Sequence, residues 1–524
     1  MSDQAKFYAC RSGLFTVCLL TFAAFTASCS KPENALVDPP VRPNIILLMA
    51  DDLGWGDPGY TGNPHLRTPN LDDMANSGLV FERFYSAAPV CSPTRASVLT
   101  GRHPFRSKIY YALNQDSPTP LARDEVMLGK LLKDAGYTTG FFGKWHLGSL
   151  TTEVVDARVG GAGFEHLYSP PWEHGFDTVF ATESRVPTYD PMIRPRSQAG
   201  ADAGRHPAEE QLEGTIRFRW QPLDDPDDGI FFGTHYWVES QETVTENLSG
   251  DDSRIIMDRV IEFIEQNDGD EQPLFAVVWF HTPHLPLVAG LEDQAQYAEY
   301  KFTDRTYYAA VSAMDREIGR LRETLRERGM ADDTVLWFAS DNGPESSVNI
   351  NPGQTGGLRG RKRSLYEGGI RVPGIIEWPA RLGIRGKIDA PAVTSDIFPT
   401  VLAWAGVGAP ADRLLDGIDL NAILLGEADS RNSPIGFESQ YQLAWVDDRY
   451  KLIYVPTLDN DARLEARHGQ NPDVNFDFEL YDIVNDPGET RDISASHPEI
   501  VEQMSEQFAK WRSSVARSIE GNER

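Results

Sequence analysis

Asn44-Ile45-Ile46-Leu47-Leu48-Met49 runs through Ala50 straight into the pair Asp51-Asp52. An unbroken apolar run of this length, without polar alternation, belongs to a strand covered on both faces, as strands of parallel sheets are. The pattern recurs twice. Leu274 to Phe280 ends in His281-Thr282-Pro283-His284, and Thr334 to Ala339 ends in Ser340-Asp341-Asn342-Gly343. A helical segment precedes each: Ser253 to Gln266 before the first, and before the second an amphipathic helix carrying Val311, Met314, Ile318, Leu321 and Leu325 on one face. Strands that alternate with helices and end in polar clusters predict an α/β fold, with a mixed, mainly parallel sheet flanked by helices and the chemistry at its carboxyl edge.

Outward from this core the texture changes. Residues 431–524 carry short strand-like runs, Leu443 to Val446, Tyr450 to Tyr454 and Glu479 to Asp482, and a last helix from Pro498 to Val515; they predict a smaller C-terminal α+β subdomain beside a catalytic domain of residues 43–430. Residues 151–250 are rich in Gly, Pro and aromatics with little helical periodicity, and read as loops walling a cleft. Trp172, His174 and Trp237 in that stretch could face sugar rings or simply pack. Residues 1–29 read as an export signal, with Lys6 and Arg11 before the apolar run Leu14 to Phe25. Thr26-Ala27-Ser28-Cys29 resembles a bacterial lipobox, which makes Cys29 a candidate lipid anchor and residues 30–42, rich in proline, a linker to a surface. The expected location is therefore the periplasm or the outer membrane of a bacterium.

With 49 basic and 78 acidic residues the chain has a formal charge of −29, which argues against nucleic-acid partners. An anionic substrate requires a local positive pocket. Of the four cysteines, three fall in residues 1–29, so Cys91 is the lone thiol of the mature domain. It is a buried inert thiol, a reactive group or a modified residue.

Cys91-Ser92-Pro93-Thr94-Arg95, continuing to Gly101-Arg102, resembles the signature of the formylglycine-dependent sulfatases, arylsulfatase-like members of the alkaline phosphatase superfamily, and more specifically bacterial carbohydrate sulfatases. In that family a formylglycine-generating enzyme oxidises the cysteine to 3-oxoalanine. The resemblance implies further assignments. Asp51, Asp52, Asp341 and Asn342, with residue 91, correspond to ligands of one calcium ion per chain; an all-oxygen protein set also suits a hard cation on chemical grounds. Gly143-Lys144-Trp145-His146 places Lys144 on the sulfate and His146 beside residue 91. Pro283-His284 supplies a histidine to the bridging ester oxygen, with His281 left between a structural and a functional role. Lys362, four residues before Tyr366-Glu367-Gly368-Gly369, is the second lysine of the pocket; Arg359, Arg361 and Arg363 beside it stay unassigned.

The implied activity is hydrolysis of a sulfuric ester, with a sulfated poly- or oligosaccharide as substrate. Hydrated formylglycine, hydrogen-bonded to Arg95, attacks sulfur in line, and the resulting hemiacetal expels sulfate. Two other readings are a phosphonate or phosphate ester hydrolase of the same superfamily and a non-catalytic lipoprotein that binds sulfated glycans.

Overall fold

The computed structural model describes residues 42–157, 159–196, 218–269, 271–345, 351–383, 386–457 and 476–521. The export signal, Cys29 and residues 30–41 of the linker lie outside them.

Nine strands build the main sheet: β1 (Asn44–Ala50), β2 (Leu79–Phe81), β3 (Thr138–Lys144), β4 (Thr178–Thr182), β5 (Trp237–Val238), β6 (Leu274–Trp279), β7 (Thr334–Ser340), β8 (Gly374–Glu377) and β9 (Gly386–Ile388). Their order across the sheet is β9-β2-β8-β7-β1-β6-β3-β4-β5. The five central strands, β7 to β4, run parallel, and antiparallel pairs (β7 with β8, β8 with β2, β4 with β5) extend both sides. The apolar run of β1 is central because both faces are covered. Ile45, Leu47 and Met49 enter one hydrophobic cluster, whereas Ile46, Leu48 and Ala50 enter another on the opposite face. Each such large side chain contributes about 1.5–3 kcal/mol relative to exposure.

Helices cover the sheet. We label α1 Cys91–Thr100, α2 Asp252–Gln266, α3 Phe302–Glu327 and α4 Pro498–Ile519. Asp251 caps α2 by accepting from the Arg254 amide at 3.0 Å. The predicted stripe Val311, Met314, Ile318, Leu321 and Leu325 of α3 packs into the second cluster beside Ile256, Val260 and Ile264 of α2. Among the described residues no helix is long and apolar enough to cross a membrane.

One expectation is corrected. Residues 151–250 are not loops alone, because β4 joins the parallel core at Gly140↔Thr178 through Lys144↔Thr182 and Trp237–Val238 pairs with it. Thr-Val-Phe-Ala-Thr is only five residues long and sits among Gly and Pro, so its strand character comes from pairing with β3 and not from local pattern. The aromatic residues there pack. His174 is buried and bonds Ser169 Oγ at 2.7 Å, Trp237 donates to Asp156, and Trp172 lies against the first cluster.

The C-terminal region forms an antiparallel sheet, β10 (Ile435–Ser439), β11 (Gln442–Val446), β12 (Tyr450–Tyr454) and β13 (Glu479–Asp482), with α4 against it. It shares a core with the larger body: Tyr85, Leu365, Tyr366, Ile370 and Val393 pack with Ile435, Phe437, Ala444 and Ile453.

Candidate active site

Register brings the polar clusters together. β1 and β7 pair in parallel with Ala50 opposite Ser340, so Asp51-Asp52 and Asp341-Asn342 emerge side by side at the carboxyl edge. On the other side Met49 and Gly143 both lie opposite Trp279, which delivers Lys144 and the His281–His284 turn to the same edge. Gly143 is required there. Its φ is +101°, and a Cβ would stand 2.0 Å from the Trp279 carbonyl oxygen.

Cys91 opens α1, all ten of whose residues are buried. Arg95 lies one turn later on the same face. Its Nε and Nη2 donate to Asp341 Oδ2 at 3.1 and 2.7 Å, Nη1 donates to the Lys144 carbonyl at 2.8 Å, and the guanidinium lies 5.0 Å from the Trp279 ring centroid. Arg95 was expected to hydrogen-bond residue 91. That expectation concerns the hydrated formylglycine; with residue 91 a free cysteine, the guanidinium bonds the Asp341 carboxylate and the strand that carries Lys144.

Lys144 Nζ lies 2.6 Å from Asp51 Oδ2, while Lys362 Nζ contacts Asp52 Oδ1 and stands 3.8 Å from Cys91 Sγ. The neighbouring arginines brace the loop: Arg359 stacks over Tyr366, Arg361 donates to the carbonyls of Glu345, Asn351 and Gly353, and Arg363 pairs with Glu345. His284 donates through Nδ1 to the Leu285 carbonyl at 2.6 Å, leaving Nε2 3.8 Å from Asp52 Oδ2. His146, held at φ +56°, bonds the Leu113 carbonyl through Nε2 at 3.1 Å; its buried Nδ1 has no hydrogen-bond partner. His281 is structural, wedged between Thr182 Oγ1 and Asp252 Oδ2, each at 2.8 Å.

Burial dominates the electrostatics. It would raise Asp51, yet Lys144, His284, Arg95 and Lys362 together hold that carboxyl well below its ordinary range. Burial pushes Asp52 up against the opposing Lys362, and pushes Asp341 up to about 7 with help from Asp51. It raises the Cys91 thiol, which Lys144 and Lys362 partly offset, and it lowers both His146 and His284, keeping the imidazoles neutral.

Asp51 Oδ1, Asp52 Oδ2 and Asn342 Oδ1 are buried oxygens without a hydrogen-bond partner. Three such acceptors, carried by two adjacent strand ends, are left for a partner that the protein's own donors do not supply. Ligand atoms of Asp51, Asp52, Cys91 and His284 lie within 4.8 Å of one another and could hold a metal. Asp341 stands slightly apart from that cluster, its oxygens engaged by Arg95 and the Asp52 amide. The oxygens of Asp51, Asp52 and Asn342 fit a hard divalent cation; the Cys91 thiol does not, and stands in for the oxygen that its oxidised form would present.

Sequence reasoning missed Asp57, a buried carboxylate that accepts from the Gly54 and Gln354 amides and from Tyr307 Oη and so sets the loop after Asp52; burial pushes it up to about 6. Its only signal is its place in Gly54-Trp55-Gly56-Asp57. Glu345, partner of Arg363, carried none.

Fold and site together define a hydrolase centre at the carboxyl edge of an α/β sheet, where two lysines and His284 meet a buried carboxylate pair that could hold a metal. Residues 43–407 match the family described as Sulfatase. Human (Homo sapiens) steryl-sulfatase is 32% identical over 434 residues, covering 74% of this chain and 70% of the relative. N-acetylgalactosamine-6-sulfatase of Canis lupus familiaris is 31% identical over 405 residues, covering 74% and 67%. The crystal structure of Ps i-CgsB in complex with k-i-k-neocarrahexaose superposes with a TM-score of 0.71 at 27% identity, covering 90% of this chain and 92% of that one. The chain belongs to the sulfatase family and is a sulfuric ester hydrolase.

Proposed function

We propose that this sulfatase removes sulfate from a sulfated poly- or oligosaccharide, using formylglycine made from Cys91 and one bound calcium ion. The observation that carries the reading is that Cys91 and His284 share one cluster with Asp51 and Asp52, each of which keeps one carboxylate oxygen unpartnered while its other oxygen meets Lys144 or Lys362. The carbohydrate substrate is supported by similarity to a protein solved with a neocarrahexaose and to an N-acetylgalactosamine-6-sulfatase.

Asp51, Asp52, Asp341 and Asn342 would hold the calcium. When bound, the ion and the hydrated aldehyde of residue 91 supply an oxygen nucleophile of lowered proton affinity and a Lewis acid for the ester. The chain's own groups do the rest. Lys144 and Lys362 bind the non-bridging sulfuryl oxygens and balance the charge that grows on them. Arg95 holds the Asp341 carboxylate and the end of β3, fixing the distance between metal set and lysine. The Nδ1 lone pair of His146 accepts a proton from residue 91; Nδ1 of His284 holds the single N–H of the neutral ring, so Nε2 takes up a proton from solvent before delivering it to the leaving oxygen.

The deciding experiment takes protein from a host with a formylglycine-generating enzyme, measures the mass of the peptide spanning residue 91, and assays calcium-dependent sulfate release from sulfated oligosaccharides. Aldehyde at residue 91 with sulfate release supports the reading. A fully unmodified thiol in active protein would refute the mechanism, and turnover of phosphonate esters alone would refute the substrate class. We also infer export and lipid anchoring at Cys29, for which Cys29→Ala should move the protein from the membrane fraction to the soluble one.

A further inference from the structure

The C-terminal sheet supplies none of the residues assigned to the chemistry, yet it grips the loop that carries one of them. Gln442, on β11 and buried, donates through Nε2 to the Arg363 carbonyl at 2.7 Å and accepts at Oε1 from the Leu365 amide at 2.9 Å. This one amide side chain pins the backbone immediately after Lys362. Behind it lies a buried ionic group. Lys451 of β12 has its Nζ 2.9 Å from Glu367 Oε1 and 2.9 Å from Glu489 Oε1, all three side chains being essentially inaccessible. Glu489 also accepts from the Glu367 amide at 2.6 Å, and Tyr85 Oη donates to Glu367 at 3.0 Å.

The turn held in this way is seated against the metal-ligand strand end. The Gly343 amide, next to Asn342, donates to the Gly369 carbonyl at 3.0 Å, and the Lys362 amide donates to the Pro344 carbonyl at 3.0 Å. The fit leaves no slack, since a Cβ on Gly343 would stand 2.1 Å from the Gly368 carbonyl oxygen. Lys362 Nζ thus reaches Cys91 and Asp52 from a loop whose two ends are fixed by different parts of the chain.

The geometry points to Gln442, backed by the Lys451–Glu367–Glu489 group, as the positioning device for Lys362, so that the C-terminal subdomain helps to set the sulfate pocket through the loop it holds. This rests on the sulfatase assignment but not on the identity of the carbohydrate. Every bond that the side chains of Gln442, Lys451 and Glu489 make to the loop falls within residues 363–367, immediately after Lys362. A neutral amide is also the simplest element to remove, since Gln442→Met keeps the side chain's length and leaves no buried charge unpaired.

The test is a double-mutant cycle in the full chain, crossing Gln442→Met with Lys362→Ala. It reads the affinity for inorganic sulfate and kcat/KM for 4-nitrophenyl sulfate, with hydrogen exchange followed over residues 361–369. Gln442→Met is expected to speed exchange in that segment and to lower kcat/KM by about 10- to 100-fold, as small misplacements of a charge-bearing group do. That loss should vanish when Lys362 is already alanine. Unchanged exchange over 361–369, or the same loss whether residue 362 is lysine or alanine, overturns the proposal. Failure of the matured wild-type protein to cleave any sulfate ester would instead sink the functional reading and leave the exchange result to decide this one.

Discussion

Cys91 sits where three requirements meet: the first turn of a wholly buried helix, 3.8 Å from Lys362, and within ligand distance of Asp51 and Asp52. A raised thiol pKa makes the unmodified cysteine a poor nucleophile, which suits a residue that works only after oxidation. Cys91→Ala should reduce sulfate release to background while leaving thermal unfolding within a few degrees of wild type, checked by assay and calorimetry side by side. His103, just beyond α1, carries a separate prediction. Burial pushes its imidazole down to about 3, so the folded protein keeps it neutral where the unfolded chain, at its ordinary value near 6.5, is protonated. Its contribution to stability is complete above about pH 6.5 and is lost as pH falls toward 3, with a slope of up to about 1.4 kcal/mol per pH unit. His103→Gln should flatten that part of the stability profile measured by urea unfolding between pH 7 and 4; identical profiles would place the proton elsewhere.

At the scale of elements, α1 shows why the signature extends past Arg95. Gly101 ends the helix at φ +70°, its carbonyl accepts from the Asp416 and Gly417 amides, and a Cβ would stand 2.8 Å from the Phe398 ring. Gly101→Ala combines left-handed strain with overpacking and should cost about 1–3 kcal/mol in chemical denaturation. The motif was legible because its glycine answers a backbone need as well as a chemical one. β4 was not legible: nothing within Thr178–Thr182 distinguishes it from a loop, and only its neighbour β3 makes it a strand. Likewise Arg359, Arg361 and Arg363 carry no assignment in sequence, and the structure gives them Tyr366, backbone carbonyls and Glu345 as partners.

The whole molecule couples site to stability in two ways. Asp51, Asp52 and Asp341 are buried together, and a bound cation relieves their repulsion. Calcium at about 100 times its Kd should stabilise the fold by about 2.7 kcal/mol, seen as a rise in Tm that EGTA reverses. No change in Tm with either reagent would contradict the metal assignment. The second coupling is the core shared between the C-terminal sheet and Tyr85, Leu365, Tyr366, Ile370 and Val393. Truncation after residue 430 exposes that apolar surface and removes Gln442 and Lys451, so the shortened chain should aggregate or elute as an expanded species on gel filtration; a compact monomer would show the larger body to be self-sufficient.

The sequence by itself determined the strand that runs into Asp51-Asp52, the parallel sheet class, the stripe of α3, and the polar clusters 51–52, 281–284 and 341–342 at the strand ends, because hydrophobic period and strand-end polar clusters are local properties of the chain; Cys91, Lys144 and Lys362 were named by family resemblance. Tertiary structure alone decided what the arginines beside Lys362 bind, that Arg95 grips Asp341, that Thr178–Thr182 is a core strand, and that Gln442 bonds the backbone of Arg363 from 79 residues further along the chain. Those outcomes depend on which distant backbone groups need partners once the sheet is assembled, and no local pattern encodes a partner that far along the chain.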